Sequence, residues 1–376
     1  MMNDLLTLSL VFATGLCITL MVTPSILEVA YKKKLFDIPD ERKVHSKPIP
    51  SLGGVGIFIG VILTFTLWAR DLGNFPEYKY VLTSYLVLFF MGLKDDLIIM
   101  QTTHKLIIQL VVAGLLTFGG VRILNLYGFL GLYELSVFWS YLISIFLIVG
   151  VTNAFNLIDG IDGLAGGLGG INCFTFGALM YVYGMHEYAI LAFAVGGALL
   201  GFLRFNFRKY PNKLFMGDTG SLLLGLTVSI LAIFFLNVDK TSSIGLEFVS
   251  PAVVVLAIMA IPIVDTSRVF LIRLAAGRSP FSPDRNHIHH QLLAAGATHK
   301  RASIMLYIIN TLLVITVIVF RDTTSLGLGL IILFVGTVCI QLMVFSGHMR
   351  REKQMMNVKT KLELLERENQ FLNKIV

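Results

Sequence analysis

Eleven apolar runs separated by short polar segments fill this chain, and a hydrocarbon environment admits only structures that satisfy their own backbone hydrogen bonds. The runs cover residues 5–27, 52–69, 80–93, 106–120, 136–152, 163–183, 188–205, 221–237, 249–272, 302–320 and 325–344. A helix of about 20 residues crosses a hydrocarbon core roughly 30 Å thick. Only 14% of the residues are charged, whereas a soluble domain carries about 25%. The predicted fold is therefore all-α, a polytopic membrane protein with about eleven transmembrane helices. The third and fourth runs are short, which suits helices shielded by neighbours or lengthened by their flanks.

Basic residues set the orientation, because Lys-rich and Arg-rich loops stay in the cytoplasm during insertion. With the amino terminus outside and the carboxyl terminus cytoplasmic, Arg70, Lys79, Arg122, Lys240 and Arg321 fall on the outer side, and the rest of the 30 Lys and Arg lie inside. The first run has no basic segment before it and Lys32, Lys33 and Lys34 after it, so it is expected to be an uncleaved anchor. The same topology accounts for the net charge of +7 without nucleic acid, since the basic residues are dispersed over inner loops. Cys17, Cys173 and Cys339 sit singly in apolar runs and read as packing residues. Two units are expected: a transmembrane domain over 1–349, and a cytoplasmic helical tail over 350–376.

Ionisable side chains near membrane depth are expensive and point to function. Asp95 and Asp96, Asp159 and Asp162, Asp218, and Asp265 all lie towards the cytoplasmic face in this topology. Acids at helix ends are often only solvated or paired, but the first five, as three tight groups on one face, form an oxygen-rich set of the kind hard Mg²⁺ prefers, completed by substrate phosphates. In Asn153-x-x-Asn156-x-x-Asp159-x-x-Asp162 the polar residues recur every three positions, so they share a face if the segment is helical. An Asn/Gly turn capping a helix would give the same string. Asp218, in Met216-Gly-Asp-Thr-Gly-Ser221, reads either as a helix N-cap or as a carboxylate beside helix N–H groups that receive a metal-bound phosphate. His287, His289 and His290 have a spacing that suits Zn²⁺, while Arg285 beside them suits an anion. A secondary transporter would place its acids near the midplane, often in repeated halves. Here they gather at one face and no repeat is visible, so an enzyme is the better reading.

Taken together, the motifs resemble the polyprenyl-phosphate N-acetylhexosamine-1-phosphate transferases. These motifs are Asp37-x-Pro39 with Arg42-Lys43-x-His45, Pro50-x-x-Gly53-Gly54, Asp95-Asp96, the segment 153–164, the segment 216–221 and His287-Ile-His-His290, in order over residues 1–347. Three consecutive His characterise the pentapeptide branch, so His-Ile-His-His looks like the GlcNAc-1-phosphate branch. The resemblance implies transfer from UDP-GlcNAc to undecaprenyl phosphate at the cytoplasmic face of a bacterial inner membrane, with Mg²⁺, or Mn²⁺ in its place. It implies Asp218 and Asp159 as metal ligands with Asp96 close by, and Asp95 as the group that positions or deprotonates the lipid phosphate. Asn153, Asn156 and Asp162 would contact the nucleotide or orient ligands. Arg285, His287, His289 and His290 would bind the diphosphate or the sugar, and Lys43, His45 and Lys47 of the first inner loop would bind substrate. A covalent aspartyl-phosphate at Asp218 stays open at this point, as does the choice between base and metal ligand among the acids.

Two further expectations concern shape. Pro262 removes a backbone donor inside the ninth run, so that helix should bend and let its cytoplasmic half, with Asp265 and Arg268, lean away to open a groove for lipid. In the tail, Met355, Leu362, Asn369 and Val376 alternate with Val358, Leu365 and Leu372 as a heptad, which favours a parallel two-stranded coil and a homodimer. A lone amphipathic helix is the alternative for so short a repeat.

Overall fold

The computed structural model describes residues 2–36, 48–69, 73, 75–129, 131–238, 250–279 and 286–321, with scattered positions from 327 to 356. Twelve helices are described: α1 Met2–Lys33, α2 Gly53–Trp68, α3 Tyr78–Leu97, α4 Thr102–Phe118, α5 Val137–Ile158, α6 Leu164–Val182, α7 His186–Asn206, α8 Gly217–Leu236, α9 Pro251–Ile258, α10 Ala260–Ala275, α11 Ile288–Ala294 and α12 His299–Val319. Six of them are long and apolar enough to cross a membrane, or seven spans if the bent pair α9–α10 counts as one. Apolar side chains such as Phe90, Val111 and Phe146 stand exposed on the outside of the bundle, as they do where lipid is the solvent. The chain is a multi-pass membrane protein. About half of the eleventh run is described, each such position helical, whereas of the tail only Met356 is, so the coil expected there lies outside the described residues.

α8 is the central post. Every residue from Thr219 to Leu236 is buried, as expected of a helix apolar on all sides. It packs against α2, α3, α5 and α6, and its N-terminal end comes into backbone contact with two of them. A Cβ on Gly54 of α2 would lie 2.2 Å from the Gly220 amide nitrogen, and one on Gly92 of α3 would lie 2.5 Å from Thr219 Cα. The chain before α2 runs alongside the chain before α8, with Gly53 N–H donating to Phe215 O and Gly54 N–H to Met216 O at 2.9 and 2.8 Å. Thus the paired glycines of the first loop serve close packing.

The ninth run is not one helix. α9 and α10 meet at 78°, and the break is at Met259, three residues before Pro262. Pro262 therefore sits in the first turn of α10, where a missing N–H costs little. The carbonyl four residues back, that of Ile258, is served instead by the buried side chain of Asn310, whose Nδ2 donates at 3.1 Å. Asn310→Leu is expected to leave that carbonyl unpaired and destabilise the protein by about 1–3 kcal/mol, read as a lower unfolding temperature in detergent. An unchanged temperature would mean that the break holds itself.

Two departures from the sequence expectations lie at helix ends. The fold is not wholly α: β1 Asn125–Phe129 and β2 Leu132–Glu134 form an antiparallel hairpin, tied to the end of α8 through Leu124 N–H to Asn237 Oδ1 at 2.9 Å and Tyr127 OH to Val238 O at 2.9 Å. The helices α5 and α8 also run past their apolar limits into the polar motifs, because those residues face protein rather than lipid. Cys173 is buried as expected, but Cys17 faces outward from α1.

Candidate active site

The C-terminal ends of α3, α5 and α7 and the N-terminal ends of α4, α6, α8 and α12 gather at one end of the bundle. There they enclose a cavity of about 430 Å³ whose lining includes Asp95, Asp96, Asn156, Asp159, Asp162, Asp218, His290 and His299. The two acids of α3 play different parts. Asp96 accepts Asp218 N–H at 2.7 Å, Thr219 N–H at 3.1 Å and the Thr219 hydroxyl at 2.6 Å. It caps α8 from a neighbouring helix, so Asp218 is not the N-cap of its own helix. Gly217, which begins α8, has φ +72, and a Cβ there would lie 2.2 Å from Ser51 O and 2.6 Å from Asp96 Oδ1. That crowding and the positive φ both require glycine.

Asp95 accepts Met100 N–H at 2.6 Å, and its other oxygen pairs with Lys105 of α4. Lys105 also reaches Asp218 Oδ2 at 2.8 Å, so one ammonium bridges the two carboxylates. Lys105 entered the sequence reading only as a topology residue. Its tie to Asp218 spans 113 residues, and no local pattern announces it.

The segment after Val151 is helical to Ile158, then turns. Asn153 faces α4, where its amide pairs with Gln109, and it is not among the cavity residues. Asn156 donates to Ser221 Oγ at 3.0 Å. Asp162 is half-buried, which disfavours its charge, but His299 at 3.2 Å and Lys213 at 2.6 Å hold its carboxyl below the usual range. Asp159 differs from all of these: no hydrogen-bond or ionic partner for its carboxylate is found among the described residues. Burial, reinforced by the charges of Asp218, Asp96 and Asp162, pushes its pKa up to about 8. A carboxylate so placed calls for a cation.

Among the described residues no three His, Cys, Asp or Glu side chains converge closely enough to hold a metal ion by themselves. That excludes a closed zinc-type cage there, but not Mg²⁺, which takes one or two protein carboxylates and leaves the rest of its shell to water and phosphate. Asp159, without a partner among the described residues, lines the cavity with Asp218 and fits such an ion.

The histidines divide. His290 lines the cavity, whereas His287 and His289 are 4% and 1% exposed. His287 Nδ1 lies 2.9 Å from Asp265 Oδ2, and Ile288 N–H donates to Asp265 Oδ1 at 2.8 Å. Burial, with the charge of His290, lowers the His289 pKa to about 3, so its ring is neutral. Asp265, on the bent half α10, is itself buried against this segment. Lys43, His45, Lys47 and Arg285 lie outside the described residues. Lys105, Lys213 and His299 are the site residues that the motifs missed.

Residues 78–236 match the model of glycosyl transferase family 4. Over 344 residues, 91% of this chain and 92% of the other, the chain is 32% identical to a Bacillus subtilis (strain 168) protein described as a probable undecaprenyl-phosphate N-acetylglucosaminyl 1-phosphate transferase. It is 34% identical over 295 residues, 76% of each chain, to the undecaprenyl-phosphate alpha-N-acetylglucosaminyl 1-phosphate transferase of Escherichia coli K12. The counterpart from Yersinia pestis is 33% identical over 295 residues, 76% of this chain and 77% of the other. With the acidic cavity at one end of an apolar bundle, this likeness over nearly the whole length identifies the chain as a phosphoglycosyltransferase belonging to glycosyl transferase family 4.

Proposed function

We propose that this enzyme transfers GlcNAc-1-phosphate from UDP-GlcNAc to undecaprenyl phosphate, releasing UMP and leaving GlcNAc-diphosphoundecaprenol, the first lipid-linked step towards a cell-surface polymer. The observation that carries the reading is the Asp159 carboxylate, without a partner among the described residues, beside Asp218 and the bridging Lys105 in one cavity. The names of the relatives support undecaprenyl phosphate as acceptor and GlcNAc-1-phosphate as the group transferred. The protein sits in a bacterial inner membrane with eleven spans, its amino terminus outside and the cavity facing the cytoplasm. It forms a homodimer aided by the tail.

Asp159 and Asp218 would hold Mg²⁺, or Mn²⁺ in its place, while Asp96 fixes the N-terminal end of α8. When bound, the ion neutralises charge on the diphosphate as a Lewis acid. The acceptor is a phosphate monoester, largely dianionic at neutral pH, so approach to the donor is a meeting of negative charges. Lys105 lies where it can exchange a carboxylate partner for a phosphate oxygen. Asp95, freed from it, positions the lipid phosphate or takes its proton. Asn156 and Asp162 orient the nucleotide, with Lys213 and His299 holding Asp162 ionised. His290 and Arg285 receive the diphosphate or sugar. Exposed apolar residues on α10, such as Leu271 and Leu274, offer the prenyl chain a path beside the bend.

The test is UMP release by detergent-purified protein given UDP-GlcNAc and undecaprenyl phosphate. EDTA should abolish it, Mg²⁺ or Mn²⁺ should restore it, and a zinc-selective chelator should leave it intact. Loss of activity with the zinc chelator would reassign the metal to the histidines. Turnover of UDP-MurNAc-pentapeptide in place of UDP-GlcNAc would move the enzyme to the other branch.

A further inference from the structure

His287 and His289 are buried too deeply to meet a substrate in the cavity as they stand. Among the described residues neither ring nitrogen of His289 has a hydrogen-bond partner. What His289 does meet is backbone. A Cβ built on Gly160 would lie 2.2 Å from its Nε2, 2.8 Å from its Cε1 and 2.9 Å from its Cδ2. Gly160 directly follows Asp159. On its other flank the same turn is held by α12, where Ser303 donates to Asp162 O at 2.9 Å and Tyr307 donates to Gly163 O.

We propose that the His-Ile-His-His segment is a strut that positions the Asp159 turn, and that Asp265 is the positioning residue that sets it. Asp265 fixes the start of α11 through His287 and Ile288, with Arg268 at 3.2 Å steadying the carboxylate. The first turn of α11 then carries His289 against Gly160. Asp159 lacks a hydrogen bond of its own among the described residues, so its place depends on how its backbone is braced. His290 remains the member of the segment that faces substrate. This inference rests on the transfer reaction proposed above.

The decisive variants are Gly160→Ala, His289→Ala and the pair together. Gly160→Ala drives a methyl into the histidine ring and should lower kcat by about 30-fold or more with KM for UDP-GlcNAc little changed, since a misplacement of about 1 Å can cost 100-fold. In the double variant the ring is gone, and kcat should recover to above that of Gly160→Ala. Loss in the double variant equal to the product of the two single losses would overturn the strut, as would a rise in KM with kcat intact. Hydrogen–deuterium exchange needs no substrate and gives a second decision. Asp265→Asn should speed exchange both at 288–294 and at 158–163, and faster exchange at 288–294 alone would overturn the coupling. Wild-type protein that releases no UMP would sink the reaction assignment, leaving the strut to be decided by exchange.

Discussion

Asp218→Asn protein is expected to lose transfer by about 1,000-fold or more while remaining folded, because one carboxylate ligand to a catalytic cation is worth several kcal/mol in the transition state. The amide has the shape of the carboxylate, so packing at the first turn of α8 is preserved. That turn is capped by Asp96 through the Asp218 backbone N–H, not through the Asp218 side chain. The substitution breaks the ion pair with Lys105, whose ammonium keeps Asp95 as a partner. Charge at the proposed cation site falls while the scaffold around it does not change. The measurement is the initial rate of UMP release alongside thermal unfolding of the purified protein. Turnover within ten-fold of wild type would remove Asp218 from the cation site, and collapse of the unfolding profile would make its role structural.

Much of this architecture is legible in the sequence because lipid simplifies the problem. A spanning segment must be helical, so hydropathy reports the helix directly. Each of the first eight apolar runs became one helix and the tenth became α12. The ends were harder to read. Asn153 and Asn156 stay helical in α5 because Gln109 and Ser221 satisfy them from other helices, which a window of apolarity cannot sense. Pro262 signalled the bend, but its position three residues after the break is intelligible only with Asn310 in view, 52 residues away from the carbonyl it serves. The hairpin left a weaker trace, in Gly128 near the end of β1 and Gly131 before β2, both at positive φ.

The site divides in the same way. Asp95, Asp96, Asp159, Asp162 and Asp218 could be found because acids at membrane depth are costly. Their basic partners could not be, since a lysine in an inner loop is what topology already demands. Lys105 and Lys213 therefore looked like orientation signals. His299 lies 137 residues from Asp162, outside any local string. The histidine segment misled in the opposite sense: its spacing suggests three ligands, and the fold turns two of them inward.

Neutralising Asp159 should have two opposite effects, abolishing transfer and stabilising the cation-free protein. An unfolded aspartate titrates near about 3.9, whereas burial and the charges of Asp218, Asp96 and Asp162 raise Asp159 in the folded protein to about 8. The folded state therefore holds this proton more tightly, and its stability falls as pH rises from about 4 through about 8. Asp159→Asn removes that loss. Near pH 5, where the wild-type carboxyl is protonated in the folded state, the variant gains little. At pH 9, where the wild-type group must ionise among like charges, it should unfold at a clearly higher temperature. Added Mg²⁺ reverses the ranking, because the cation compensates the charge that destabilises wild type and has less to bind in the variant. Its stabilising shift should grow from pH 6 to pH 9 in wild type, as proton competition fades, and nearly vanish in Asp159→Asn. Unfolding followed by intrinsic fluorescence at several pH values, with and without Mg²⁺, reads all of this without substrate. Equal shifts by Mg²⁺ in both proteins would place the cation elsewhere. A variant no more stable than wild type at pH 9 would mean that Asp159 is relieved by a partner beyond the described residues, and the cation would then lose its strongest structural argument.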